Sequence, residues 1–271
     1  MTVEILTCPD LGQAKRALAS DKSARFFGGG TLLMRAVNEG DQEIGKLVKA
    51  HEPAMSEIRV SGADITLGAS VTMRDVLDRD DLGFLHDAAR SVGSPAIRNM
   101  ATIGGNLFAV SPYGDFATAL LALDADVVLA DGMRGRAMPL ADLLGGRGGA
   151  DRPIVQAVSF RRPSAGEFRF RKVTRVHPRG AAVVTLAALV PQSGGVVRNS
   201  RIAYGGLENR PVRADRVERA LDGQRLDEGG IARAVSVAAD GFQGRTDSLA
   251  TDWYRLQVLP VHLKRLLLGD D

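Results

Sequence analysis

The 271-residue chain is 45% hydrophobic, which is enough for two packed domains or one large one. Its 35 Lys and Arg against 32 Asp and Glu leave a net charge of +3, and only 5% of residues are aromatic, a balance that argues against a nucleic-acid-binding stripe. Cys8 is the single cysteine, so no intrachain disulfide, four-cysteine iron–sulfur cluster or cysteine-based zinc site can be built, and His51, His86, His177 and His262 are scattered without ligand spacing.

In chain order, Val3 to Leu6 predicts a strand, and Asp10 is placed to cap a helix through Leu18. The N-terminus carries Glu4 and Asp10 and no basic-then-apolar leader, so export is not expected. Phe26 and Phe27 suit a short buried strand. Gly28-Gly29-Gly30 then makes a tight turn, and Thr31 is expected to cap a helix from Leu32 to Asn38. These elements form a βαβ-like unit ending near Pro53. Ile58 to Ala69 alternates around Ser61-Gly62-Ala63-Asp64, a hairpin signal. Thr72 caps a short helix through Leu77, and Gly83 to Val92 predicts another, stopped by Gly93 and Pro95.

Beyond the loop Ala101 to Asp115, Phe116 to Leu123 predicts an apolar helix and Asp126 to Ala130 a strand turning at Asp131-Gly132. Pro139 to Leu144 reads as a short helix, Gly145 to Asp151 as a surface loop, and Ile154 to Phe160 as a closing strand. A second domain is expected from Pro163. It opens with a strand at Phe168 to Thr174, then a long hairpin of Ala182 to Val190 with Val196 to Tyr204 around Gln192-Ser193-Gly194-Gly195. The apolar run Ala181 to Val190, broken only by Thr185, is too short to cross a bilayer, so a cytoplasmic protein without membrane insertion is expected. Helices are expected at Val212 to Leu221, Ile231 to Asp240 and Thr251 to Leu268. The last places Leu256, Leu259, Leu263, Leu266 and Leu267 on one face, with a kink at Pro260. The fold class is α+β.

Two glycine runs carry the chemistry. Ala101 to Asp115, ATIGGNLFAVSPYGD, places Gly104 and Gly105 where a missing Cβ lets backbone close on a bound group, and successive N–H groups there can form an anion nest. Thr102 and Asn106 can add neutral hydrogen bonds to phosphate oxygens. Asp115, past a Ser-Pro-Tyr-Gly turn, suits sugar hydroxyls better than phosphate. Arg25 to Leu33, RFFGGGTLL, pairs a strand with a phosphate-facing turn and a helix start. Neither run has the spacing of G-x-G-x-x-G or of a P-loop. A molecule with both a diphosphate and a sugar alcohol would use all of these groups, which points to a dinucleotide.

GGGT at Gly28, IRNMATIGGN from Ile97, SPYGD, ALLALDADV to Val127, GGLENRPVRA at Gly205 and DWYRLQVLP near the C-terminus together resemble the FAD-binding subunit of molybdenum hydroxylases. This is the medium, flavoprotein subunit of the xanthine dehydrogenase and carbon monoxide dehydrogenase type. The likeness spans essentially the whole chain. It implies a split two-part α/β FAD-binding domain (PCMH/vanillyl-alcohol-oxidase-like) at 1–162, with subdomains of about 1–53 and 54–162, followed by an α+β C-terminal domain at 163–271 with an antiparallel sheet and helices.

The resemblance also implies the site. Arg25, Phe26, Phe27, Gly28, Gly29, Gly30, Thr31, Leu32 and Leu33 would clamp the FAD diphosphate together with Thr102, Gly104, Gly105 and Asn106, with Phe108 in the same loop. Asp115 would accept from a ribityl or ribose hydroxyl, or else serve as a helix cap. Val92 and Gly93 would lie beside the cofactor, or simply end a helix. Ile154 and Val155 would edge the flavin or adenine, or belong to a core strand. Lys172 would lie near the flavin and favour its reduced anionic form, or be a solvated strand lysine. No catalytic side chain and no metal site are expected in this chain. Leu32 and Gly180-Ala181 depart from the polar and acidic–aromatic residues common in the family. The implied partners are a molybdenum-cofactor subunit and a 2Fe–2S subunit, in a dimer of heterotrimers that passes electrons to NAD, a quinone or oxygen. A self-sufficient flavin oxidase and a flavin-free scaffold subunit are the rival readings.

Overall fold

The computed structural model describes residues 3–131, 135–146, 153–176 and 180–270. The first unit is a three-stranded parallel sheet of β1 (Glu4–Cys8), β2 (Ala24–Phe26) and β3 (Lys46–Ala50), in the order β1-β3-β2. Helix α1 (Leu11–Ser20) joins β1 to β2, and Asp10 caps it by accepting the Gln13 N–H at 2.8 Å. Leu11, Ala14 and Leu18 recur at helical spacing and form its buried face. Phe27 falls just outside β2, although its N–H still donates to Val48 O at 2.7 Å. Helix α2 (Leu33–Asn38) follows the glycines. Its N-cap is Leu32 rather than Thr31, and no side chain caps it.

The second unit is a five-stranded antiparallel sheet in the order β4-β5-β8-β6-β7. The hairpin of β4 (Ile58–Ser61) and β5 (Asp64–Gly68) turns through Gly62 at φ +61°, as the sequence predicts. Four short helices come next: α3 (Met73–Leu77), α4 (His86–Arg90), α5 (Pro95–Arg98) and α6 (Ile103–Leu107). Thr72 and Asp75 cap α3 reciprocally. The single helix expected over Gly83 to Val92 is instead a 3-10 segment, Asp80–Leu85, running into α4; glycine inside the segment weakens a continuous α-helix.

Helix α7 (Asp115–Ala122) leads to β6 (Asp126–Leu129), β7 (Arg136–Pro139), α8 (Leu140–Gly145) and β8 (Val155–Arg161). Strand β7 was not expected. It is an exposed edge strand whose residues, Arg136, Ala137, Met138 and Pro139, show no alternation. Gly132, and most of the loop expected at Gly145 to Asp151, lie outside the described residues.

The C-terminal part is a four-stranded antiparallel sheet in the order β14-β13-β10-β9, built from β9 (Phe168–Thr174), β10 (Ala182–Leu189), β13 (Arg201–Gly205) and β14 (Val212–Arg213). The expected long hairpin is interrupted. A small hairpin of β11 (Gln192–Ser193) and β12 (Val196–Val197) sits between β10 and β13, and the chain reverses at Asn199 with φ +52°. The helix expected from Val212 begins only at Asp215, because Val212 and Arg213 pair with β13 as β14. Helices α9 (Asp215–Leu221), α10 (Glu228–Ser236) and α11 (Asp252–Leu268) complete the chain, and α11 continues on both sides of Pro260.

Strand β10 explains its own long apolar run. Val184, Leu186 and Ala188 belong to a core shared with α9, α10 and α11, whereas Ala187 belongs to the core of the preceding sheet, so both faces of the strand are buried. Helix α7 packs on β10 and β13, and all eight of its residues are buried. With α4, which contacts β9, it joins the two parts of the chain.

Candidate FAD-binding site

The two glycine runs meet in space. A Cβ on Gly28 would stand 2.9 Å from Thr102 Oγ1, and one on Gly29 would stand 1.6 Å from Met100 O. Gly30 lies at φ +71°, and its Cβ would come within 2.5 Å of the Phe27 ring. Three consecutive glycines are therefore needed to thread the chain between Phe27 and Met100–Thr102. This path leaves the N–H groups of Gly28, Gly29, Gly30, Thr31 and Leu32 with no acceptor among the described residues. They adjoin a cleft of about 540 Å³ lined by Phe27, Gly29, Gly30, Thr31, Arg35 and Met100, among others.

The Thr102–Asn106 segment behaves differently from the nest that its glycines suggest. From Ile103 onward it is a short helix whose N–H groups are already used, and of this segment only the Thr102 N–H has no acceptor among the described residues. Ile103 donates to Val71 O at 2.9 Å, Gly104 to Ala69 O at 2.8 Å, and Gly105 to the capping Thr102 Oγ1 at 3.1 Å. Neither glycine has a positive φ. Gly104 is glycine because a Cβ would meet Ala69 Cβ at 2.9 Å, whereas at Gly105 it would meet only Thr102 Oγ1 at 3.0 Å. The segment is thus a wall fastened to the connection after β5, and the run of open donors is on the other loop.

The wall is tied onward to α7. Asn106 Oδ1 accepts the Ala117 N–H at 2.8 Å. Asp115, the first residue of α7, is buried, and both of its oxygens are held: Oδ2 by Lys172 Nζ at 2.7 Å and Oδ1 by Thr185 Oγ1 at 2.6 Å. Lys172 Nζ also donates to Ser91 O at 2.9 Å. On the opposite rim, Arg35 Nη1 donates to Tyr113 Oη at 2.8 Å and links α2 to the Ser111–Gly114 turn. Glu39 and Tyr113 raise the Arg35 pKa further, so the guanidinium stays charged and paired with Glu39 at the rim.

Residues 2–160 match the family described as the FAD binding domain in molybdopterin dehydrogenase, and residues 169–269 match the CO dehydrogenase flavoprotein C-terminal domain. The chain belongs to this family. The medium chain of glyceraldehyde dehydrogenase from Sulfolobus acidocaldarius is 25% identical over 214 residues, which cover 76% of each chain. Subunit alpha of the 6-hydroxypseudooxynicotine dehydrogenase complex from Paenarthrobacter nicotinovorans is 27% identical over 255 residues, covering 90% of this chain and 86% of its own. In structure, a chain of the reconstituted CO dehydrogenase from Oligotropha carboxidovorans superimposes with a TM-score of 0.88 over 98% of this chain and 96% of its own, at 23% identity. The relatives are dehydrogenase subunits, and the protein is an FAD-binding flavoprotein of the molybdenum hydroxylase family.

The residues present fit that cofactor. Five open N–H groups on a glycine loop supply the neutral donors a diphosphate needs. Around this FAD-family loop the expected residues fall into three groups. Phe27, Gly29, Gly30 and Thr31 line the cleft, while Gly28 touches Thr102 on the wall. Asp115, Lys172 and Asn106 form the polar connection behind the wall. Others lie away from the cleft lining. The Arg25 guanidinium donates to Lys22 O and Ala24 O, Phe26 and Val92 pack on the first core, and Ile154 and Val155 are 3% exposed within it. Gly93, at φ +54°, gives its carbonyl to Arg98 at 2.7 Å, and Phe108 is exposed.

Sequence reading missed Arg35, Tyr113 and Met100 at the cleft, and Thr185 behind it. Only Thr185, a lone hydroxyl in an apolar strand, carried a signal. Among the described residues no cluster of His, Cys, Asp and Glu is placed to hold a metal, and no helix is long and apolar enough to cross a membrane.

Proposed function

We propose that this chain is the electron-transferring FAD subunit of a molybdenum-containing hydroxylase or dehydrogenase. In this reading a molybdenum-cofactor subunit oxidises the organic substrate and a 2Fe–2S subunit delivers the electrons, within a dimer of heterotrimers. Bound FAD would supply the step from single electrons to pairs, which suits NAD, a quinone or oxygen as acceptor. The observation that carries the reading is the run of open N–H groups from Gly28 to Leu32 beside the cleft.

The chain's own residues bind and orient. Phe27 to Leu33 would hold the diphosphate, with Arg25 and Phe26 setting the strand that delivers the loop. Thr102, Gly104, Gly105, Asn106 and Phe108 would form the facing wall. Asp115 has lone pairs left on both oxygens for a hydroxyl of the ribityl or ribose portion. Lys172 uses two of its three hydrogens within the protein and would offer the third to the flavin side. Val92, Gly93, Ile154 and Val155 would support the pocket from the core. We assign the FAD-binding domain to 1–162, with subdomains of about 1–53 and 54–162, and the C-terminal domain to 163–271.

Supporting this division of labour, the cleft brings no acid–base pair to bear on an organic substrate: Arg35 and Glu39 are bonded to each other at 2.7 Å. The test is anaerobic. The FAD-loaded chain alone should stay oxidised when mixed with candidate heterocycles, aldehydes or carbon monoxide, and should bleach once iron–sulfur and molybdenum subunits are added. Bleaching by a substrate with this chain alone would replace the reading with that of a self-sufficient oxidase.

A further inference from the structure

Thr185 is the one polar residue in the apolar strand β10, and it is fully buried. It lies opposite Lys172 in the pairing of β10 with β9, and the two side chains bracket one carboxylate, that of Asp115. On its other side Thr185 pairs with Gly205, where a Cβ would stand 2.3 Å from Thr118 Oγ1 of α7. Strand β13 is therefore pressed onto α7 on the far side of Thr185 from Lys172.

From Asp115 the contacts run back to the cleft without a gap. Ala117 in the same first turn is held by Asn106, Asn106 belongs to the helix capped by Thr102, and Thr102 meets Gly28.

We propose that Thr185 is a positioning residue for the FAD site, through which the C-terminal sheet sets the cofactor affinity of the N-terminal domain. The proposal rests on the reading that FAD lies at the two glycine loops. Held from both sides, Asp115 keeps one rotamer, and the remaining lone pairs of its oxygens point in fixed directions toward a cofactor hydroxyl. Without the Thr185 hydroxyl, Oδ1 is buried and loses its donor. The carboxylate then shifts toward Lys172 or takes up water, and the start of α7 moves with it. The wall of the cleft is fastened to that start.

The test uses the full chain with Thr185→Val, Thr185→Ala and Thr185→Ser, measuring FAD affinity by fluorescence quenching alongside the melting of the apoprotein. The Val and Ala variants should melt cooperatively and bind FAD about tenfold more weakly, the loss expected for one hydrogen bond to a charged group. The Ser variant, which keeps the hydroxyl, should bind close to the wild type. In an Asp115→Ala background, Thr185→Val should change FAD affinity little, because the effect passes through Asp115. Wild-type affinity in both Val and Ala variants, failure of both to fold, or an undiminished effect in the Asp115→Ala background would each overturn the proposal. A wild type that binds no FAD would remove the underlying reading, and this one with it.

Discussion

Gly29 and Met100 are in backbone contact: a Cβ on the glycine would stand 1.6 Å from the Met100 carbonyl oxygen and 2.6 Å from its carbon. The contact joins a loop with open N–H groups to a segment whose N–H groups from Ile103 to Gly105 are engaged, and the cleft opens where the two meet. No side-chain rotation relieves a clash with a carbonyl, so the Gly29 loop must move off Met100 if a methyl group is added. Gly29→Ala should destabilise the protein by about 1–3 kcal/mol, as overpacking does, and weaken FAD binding by more than about tenfold. Urea unfolding and flavin titration measure the two effects. Gly105→Ala is the control, since its Cβ meets only a hydroxyl at 3.0 Å and its φ is ordinary. Equal losses in the two variants would contradict the difference drawn between the loops.

Arg255 is the one fully buried charge on α11. It pairs with Asp247 at 2.6 Å and donates to the carbonyls of Gly206 at 2.8 Å and Arg245 at 3.0 Å, and also to that of Val183. Burial works against the Asp247 charge, but the N–H groups of Leu249 and Ala250 together with Arg255 outweigh it and keep its pKa low. Arg255→Met would remove the charge that pairs with Asp247 and the donor to the Gly206, Arg245 and Val183 carbonyls, and should cost about 3–5 kcal/mol. A group whose folded pKa is depressed contributes stability above its unfolded value and loses it as pH falls through the folded one. The wild type should therefore lose stability as the pH falls below about 4, and Arg255→Met should show less of that acid dependence. Unfolding of both proteins from pH 7 down to 3 checks the prediction.

Tyr204 gives the opposite sign. Burial, with the negative Glu218 nearby, pushes its pKa well above the usual tyrosine range, and its hydroxyl has no partner among the described residues. The folded state favours the neutral phenol, so this contribution is intact below the unfolded pKa of about 10 and is lost as pH rises beyond it. Tyr204→Phe removes an unpaired buried hydroxyl while keeping the edge-on contact with Phe242 at 5.5 Å. It should leave the melting temperature at neutral pH unchanged or raised, and it should flatten the alkaline loss of stability. A clear fall in melting temperature at pH 7 would mean that the hydroxyl has a stabilising partner.

What could be read in the sequence was what depends on neighbours in the chain. Asp10 and Thr72 cap helices because a side chain three residues before an N–H reaches it whatever the rest of the fold does. Gly62 turns its hairpin for the same reason. The glycine runs were legible as close approaches, but not which groups approach. Gly104 proved to face Ala69, and the N–H groups around it proved to be spent on Val71 and Ala69, partners that only the tertiary fold brings near. Thr31 has the side chain of a cap, yet the backbone leaving Gly30 at positive φ places Leu32 in that position. The Asp115–Lys172–Thr185 connection depends on the pairing of β9 with β10 and on their packing against α7, and no local pattern encodes it. Arg255 lies one turn before Leu259 on the buried face of its helix, but the carbonyls and the Asp247 carboxylate that receive its charge come from elsewhere in the chain.

If FAD is held by the open N–H groups of Gly28 to Leu32, amide hydrogen exchange reads the binding at these atoms directly. In the apoprotein their amides should exchange fast, because no described residue accepts them, while Ile103, Gly104 and Gly105 should already be slow. Adding FAD should slow exchange strongly from Gly28 to Leu32 and change Ile103 to Gly105 little. Saturable FAD binding with no new protection between Gly28 and Leu32 would contradict the account.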